Sequence, residues 1–340
     1  MNVTFLDACY GKKTSYTPVW YMRQAGRYLP QYRKLKEKYT IVDIIKTPEL
    51  ATQVTLQPVD ILGVDAAILF ADIMIPLIGI GVDLEIVEHI GPVMKSPLQT
   101  MQDIKKFRPL SPEQDIPYLL QTIKILRKEL RKKVPLIGFS AAPFTLASYL
   151  IEGQPTRDFL KTKSFMYTNT KAWELLMEKL SDLIIVYLQA QVTNGVQALQ
   201  LFDSWVGCLS QSDYENYVLP YTKRIFESLS SKTVPLIHFG TNTAGLLTSF
   251  ASVACDVVGI DWRIEIAKAW KEIGYKKAIQ GNLDPAVLLG DFSLIKRHVD
   301  ELFISLPQKE GYIFNVGHGI VKETPVENIV RLTDYVHSKR

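Results

Sequence analysis

Two arginines stand four residues apart in the stretch PVWYMRQAGRYLPQYRK (18–34), with Gln24, Ala25 and Gly26 between them. Arginine is the side chain that grips a carboxylate through two parallel hydrogen bonds. Arg23 and Arg27 together therefore suit an anion carrying several carboxylates or phosphates. Gly26 permits close backbone approach. A second chemical signal is Asp72 in ILFADIMIP (68–76), where apolar residues continue past the carboxylate. A carboxylate there is unfavourable beside an anion unless it faces donors. The combination asks for a ligand that is anionic at its rim and carries N–H donors or developing positive charge at its centre. His318 lies between Gly317 and Gly319, which suggests close approach of something to that side chain.

Other chemistries lack their residues. Of the five histidines, His89, His238, His298, His318 and His337, no two have the spacing of HxH or HExxH. There is no GxSxG elbow and no phosphate loop of the GxxxxGK type. GIGVDL (79–84) lacks the third glycine and the helix pattern of a dinucleotide site. Lys277 opens its apolar run instead of closing it, against a Schiff-base lysine at a strand end.

Something must bring these residues together. Short apolar runs recur along the chain: PVWYM (18–22), DAAILF (65–70), VPLIGF (134–139), VQALQLF (196–202), VPLIHF (234–239), CDVVGI (255–260), KAIQ (277–280) and YIFNV (312–316). Continuous apolar runs fit strands buried on both faces of a parallel sheet. Amphipathic segments alternate with them, such as 117–133 and 171–195, the latter closing on Asn194-Gly195; Gly274 marks a further helix end. Eight strands alternating with helices predict a single-domain (β/α)8 TIM barrel over 1–340. Polar residues follow the runs: Asp72, Ser140, Asp203 and Ser204, Asp261, Asn282 and His318. In such a barrel the C-terminal strand ends line one catalytic mouth. Residues 82–96 are expected to form a small inserted hairpin.

The chain has 340 residues, 47% hydrophobic, with a net charge of +4. That mild excess, without a basic run interleaved with aromatics, gives no reason to expect nucleic acid. The charge is uneven: residues 1–40 hold eight lysines and arginines against Asp7 and Glu37. Cys9, Cys208 and Cys255 are odd in number and far apart, which points to a reducing compartment. No secretion signal opens the chain, and the most apolar window, 66–82, is broken by Asp72 and Pro76. A soluble cytoplasmic protein with no membrane partner is expected.

The residues resemble the uroporphyrinogen decarboxylase family. PVWYMRQAGRYLPQYR is similar to its N-terminal signature. ILFADIMIP, SAAPFTLASYLIEG (140–153), LQLFDSWVG (199–207), IQGNLDP (279–285) and FNVGHGI (314–320) resemble its later blocks in order. The resemblance spans about residues 3 to 335. It implies a single (β/α)8 barrel, a homodimer, no cofactor and no metal. It implies as substrate uroporphyrinogen III, whose four acetates become methyls to give coproporphyrinogen III. Asp72 would accept pyrrole N–H bonds and stabilise a cationic intermediate; Arg23 and Arg27 would hold carboxylates, with a part for Arg23 in proton delivery. The backbone at Gln24, Ala25 and Gly26 would contact carboxylates, Tyr149, Ser204 and His318 would hydrogen-bond side chains, and Phe202 would pack on the macrocycle. Gln31 stands where the signature often has glutamate, and Ala71 where serine is frequent. Two other readings remain at this level. One is a zinc- and cobalamin-dependent methyltransferase of the same superfamily, though Gly240 falls where its first cysteine belongs. The other is a tetrapyrrole binder without activity.

Overall fold

The computed structural model describes residues 2–87, 90–231 and 233–339. His89 and both ends of the expected 1–340 domain, Met1 and Arg340, lie outside them. Among the described residues there are nine strands: β1 (Ala67–Ile68), β2 (Leu84–Val87), β3 (Gly91–Met94), β4 (Leu136–Ala141), β5 (Ala198–Asp203), β6 (Leu236–Gly240), β7 (Val257–Gly259), β8 (Ala278–Leu283) and β9 (Tyr312–Val316). Seven form one parallel sheet in the order β1-β4-β5-β6-β7-β8-β9. Every residue of those seven strands is buried, as the continuous apolar runs require. β2 and β3 make the expected hairpin, pairing Leu84 with Met94.

The sheet curls. Gln200 of β5 and Gln280 of β8 are three strands apart in the order, yet Gln280 Nε2 donates to Gln200 Oε1 at 3.1 Å. Trp20 Nε1 donates to the other end of the same chain of groups, at Gln280 Oε1, 2.8 Å away. These contacts cross the interior of a TIM-barrel-like α/β fold. The seven strands do not close as a continuous ladder. The first apolar run, 18–22, forms no ladder of its own; it makes one parallel bridge, Val19 with Phe314 of β9. Phe314 N–H donates to Pro18 O (2.9 Å), and Asp65 N–H donates to Val19 O (2.7 Å) just before β1. Pro18 has no N–H to give, which shortens the pairing.

Helices cover the outside. The longest, Thr170–Thr193, ends where Gly195 takes φ 114°. Ile266–Glu272 ends before Gly274 at φ 73°, the left-handed residue anticipated there. After β5 the helices Gln211–Tyr217 and Leu219–Leu229 stand as separate segments. Pro220, at the second position of the latter, has no N–H to continue the preceding turn.

Candidate active site

The loop bearing the two arginines is strapped down on both sides. Met22 N–H donates to Asn315 Oδ1 of β9 (2.9 Å), and Ile320 N–H donates to Met22 O (3.0 Å). Gln24 is fully buried beneath the loop. Its Nε2 donates to Ala66 O at 3.0 Å, and its Oε1 accepts Tyr21 N–H at 3.0 Å. Its carbonyl accepts the Tyr28 hydroxyl at 2.5 Å. Gln24 therefore supports the loop from within, and its side chain does not reach the mouth. Arg23 has φ 59°, left-handed and uncommon for a residue with a Cβ. The strain is held by those straps. Ala25 and Gly26 lie half-buried on the loop, and Arg23 and Arg27 are exposed. A Cβ on Gly26 would sit 3.0 Å from Arg23 O.

Arg23 is the electrostatic centre of a cluster from four distant segments. Asp72 is half-buried just past β1, where its Oδ1 accepts Met74 N–H at 2.8 Å. Burial pushes its carboxyl above the usual range, while the Met74 amide and the Arg23 charge pull it back. Tyr149, on helix Pro143–Glu152, is buried, and its hydroxyl is pushed up to about 12, first by burial and then by the Asp72 charge. Its ring meets Trp205 edge-on at 6.0 Å. His318 is pushed down to about 4, first by burial and then by Arg23, so its imidazole is neutral at pH 7. The Arg27 carbonyl accepts a bond from Arg33 Nη1 at 3.2 Å.

Phe202 and Ser204 flank the end of β5. Phe202 is 8% exposed, in an edge-to-face row with Phe139 (5.5 Å) and Phe239 (5.8 Å). Ser204 is half-buried, and its carbonyl accepts the Thr241 hydroxyl at 2.5 Å. Not every polar strand end faces the mouth. Asp203 and His238 are fully buried against one another, Oδ2 to Nε2 3.5 Å. His238 Nδ1 pairs with Phe250 O at 3.1 Å, and its ring stacks on Phe250. Asn282 Nδ2 donates to Asp261 O (2.9 Å) and Ile264 O (2.7 Å), tying β8 to the loop after β7. No group of three or more His, Cys, Asp or Glu side chains suited to a metal ion occurs among the described residues.

Two contributors escape sequence reasoning. Gly319 is one: a Cβ there would lie 2.3 Å from Arg23 Cδ, so the Arg23 stem needs a glycine beside it. Arg263, after β7, is the other, held by Asp261, one of the polar residues expected at the strand ends. The fully buried Asp261 accepts Asn242 N–H (2.7 Å) and Arg263 Nη1 (2.5 Å). The glycines around His318 were the available signal for Gly319; nothing in GIDWRIE distinguishes Arg263 from a solvated cation. A cavity of about 450 Å³ between Tyr10, Cys255, Trp270 and Lys276 opens at the opposite ends of the strands. There Lys277 Nζ is bonded to the Val253 and Cys255 carbonyls, and Asp256 to Leu236 N–H. Lys277 and Asp256 there are thus held by the fold.

Comparison with known proteins follows the same residues. The family model described as Uroporphyrinogen decarboxylase (URO-D) matches residues 1–339. The curated uroporphyrinogen decarboxylase of Carboxydothermus hydrogenoformans is 50% identical over 337 residues, covering 99% of this chain and 96% of that protein. That of Bacillus subtilis is 51% identical over 336 residues, covering 99% and 95%. Among solved structures, a methyltransferase from Methanosarcina mazei aligns with TM-score 0.81 at 21% identity, over 98% of this chain and 97% of that one. A B12-independent methionine synthase from Shewanella sp. aligns with TM-score 0.57 at 9% identity, over 95% and 96%. At those identities the structural likenesses speak for the fold alone.

Proposed function

The chain belongs to the uroporphyrinogen decarboxylase family, and from that premise we propose that the cluster around Arg23 and Asp72 binds uroporphyrinogen III and converts its four acetates to methyls. Decarboxylation of uroporphyrinogen in tetrapyrrole biosynthesis is its activity; the roles of the residues are our reading. The observation that carries that reading is the convergence of Asp72, Tyr149 and His318, from separate segments, on one arginine.

The substrate has a carboxylate rim and four pyrrole N–H donors at its centre. Asp72 spends Oδ1 on Met74 N–H, which fixes the carboxylate. Its other oxygen takes the pyrrole N–H groups. Protonation of a pyrrole ring carbon makes that ring an electron sink. The bond between the methylene and the carboxylate carbon then breaks, CO2 leaves, and the electron pair flows into the ring. A proton delivered to the methylene carbon completes the methyl group, and loss of the proton that the ring carbon took up restores the neutral pyrrole. The macrocycle thus supplies the sink that a cofactor supplies elsewhere. Asp72 stabilises the cation, a preorganised contact worth about 3–4 kcal/mol. Arg23 and Arg27 hold carboxylates, and Arg23 stands where a proton relay through a carboxylate or water would begin. Neutral His318 and the Tyr149 and Ser204 hydroxyls bond further side chains, and the Phe202 edge meets the macrocycle.

We read Pro18–Trp20 as the stave that completes a (β/α)8 barrel, residues 1–340 as one domain, and the working form as a cytoplasmic homodimer. No described helix is long and apolar enough to cross a membrane. Anaerobic incubation with uroporphyrinogen III, followed by oxidation and chromatography, tests the activity. A series from seven to four carboxylates is expected, and its absence overturns the assignment. Sedimentation at micromolar concentration tests the dimer.

A further inference from the structure

We propose that Arg263 is a third carboxylate anchor of this site, gripping a substrate side chain from the loop after β7. The inference rests on the functional reading above. Its guanidinium carbon lies over Trp262, 4.1 Å from the ring centroid, and one Nη is held by the fully buried Asp261 at 2.5 Å. Stacking and a single ion pair hold the plane of the fork in place. The pairing with Asp261 uses Nη1, and no other side-chain partner of the guanidinium is found among the described residues. The side chain nevertheless keeps 45% of its surface exposed. An arginine ordered in this way while leaving donors open is suited to bidentate carboxylate capture.

Its position is at the mouth. Trp262, on which it stacks, meets the His318 ring edge-on at 6.5 Å. Gly317 lies so close to Trp262 that a Cβ there would sit 2.5 Å from its backbone nitrogen. Arg263 and Arg23 both bias the His318 imidazole toward its neutral form. Asp261 engages a single guanidinium nitrogen, Nη1, and so leaves other N–H groups of the fork able to bond a ligand. A ligand with eight carboxylates has more anionic groups than Arg23 and Arg27 can pair. Arg263 answers part of that demand from the loop after β7.

The test compares Arg263→Gln, Arg263→Lys and a control, Arg297→Gln, which removes an exposed arginine from the outer helix Phe292–Ser305. Steady-state rates with uroporphyrinogen III are measured across ionic strength, with titration by uroporphyrin, the unreactive eight-carboxylate macrocycle. For Arg263→Gln, KM and the uroporphyrin Kd should rise about tenfold, with kcat nearly unchanged and a flatter salt response, as loss of one charged anchor requires. Arg263→Lys should fall between, because it keeps the charge and loses the fork. KM, Kd and salt response equal to those of Arg297→Gln would overturn the anchor. Should Arg263→Gln not fold, Arg263→Lys decides alone, and an unchanged KM refutes the proposal. A wild type that binds uroporphyrin but yields no product would sink the functional reading and leave the anchor to be judged on Kd.

Discussion

Asp72 carries opposite demands from folding and catalysis. Its carboxyl is raised by burial, so the folded state favours the protonated form. Stability from a raised carboxyl is full below the unfolded value and is lost as pH rises through the folded one. Asp72→Asn should therefore melt higher than wild type at pH 7, with the gain vanishing toward pH 3, as calorimetry across pH would show. The same variant, and Asp72→Ala, should lose about 10²–10³ in kcat, the usual cost of removing one preorganised electrostatic contact. Near-wild-type turnover would end the proposed role. His318 has the reverse sign for the opposite charge type. Its folded value of about 4 lies below the ordinary 6.5, so its contribution is full above about 6.5 and fades as pH falls toward 4. His318→Gln should gain stability relative to wild type over that interval. An acid limb of kcat/KM between pH 5 and 7 should survive the substitution, since neutral His318 does not titrate there. The sequence disclosed Asp72 and His318 because each breaks a local pattern, a charge in an apolar run and an imidazole between glycines. It could not disclose that Gln24 faces inward, because a polar residue in a signature loop looks the same whichever way it turns.

The loop 22–29 is the element on which the arginines depend, and it is built from non-local bonds. Asn315 and Ile320 hold Met22 from β9 and beyond, while Gln24 holds Ala66 before β1. Gln24→Ala should leave buried backbone groups at Tyr21 and Ala66 unpaired, at about 1–3 kcal/mol. It should raise KM more than it lowers kcat, because Arg23 would be positioned less well. Gly319→Ala should do the same by another route, its methyl pressing on the Arg23 stem. Kinetics together with urea denaturation would separate the two: Gly319→Ala should disturb KM at little cost in stability. Equal loss of stability in both variants would show that Gly319 serves packing instead. Element type and order were readable from the alternating apolar runs and the Gly195 and Gly274 helix ends. Element length was not. β1 shrinks from a six-residue run to Ala67–Ile68, and 18–22 makes one bridge. Pairing partners hundreds of residues away decide where a ladder begins and stops.

At the scale of the molecule, one carboxylate ties the chain's two ends to the seam of the sheet. Asp65, 2% exposed, accepts bonds from Asn2 Nδ2 (2.9 Å), Tyr16 O–H (2.7 Å) and Val19 N–H (2.8 Å), and pairs with His337 Nε2 at 2.7 Å. Its own N–H donates to Val19 O. Asn2 and Tyr16 precede the run 18–22, Val19 is the bridge to β9, and His337 ends the last helix, Val326–His337. Asp65→Ala strips all four groups of their acceptor, and Val19 N–H is buried. Removing one member of such a buried set costs about 3–5 kcal/mol. The urea midpoint should fall accordingly, and amides of the terminal helix and of residues 16–19 should exchange faster than those of β4 to β8. The arginine loop is held separately, through Asn315 and Ala66. Folded Asp65→Ala protein in the cold should therefore retain kcat within about twofold, since the contacts that stabilise the reaction's charge are untouched. Loss of kcat in step with stability would mean that the seam and the mouth form one cooperative unit. Uniform exchange across the sheet would place Asp65 in the global unfolding transition and not at a local seam.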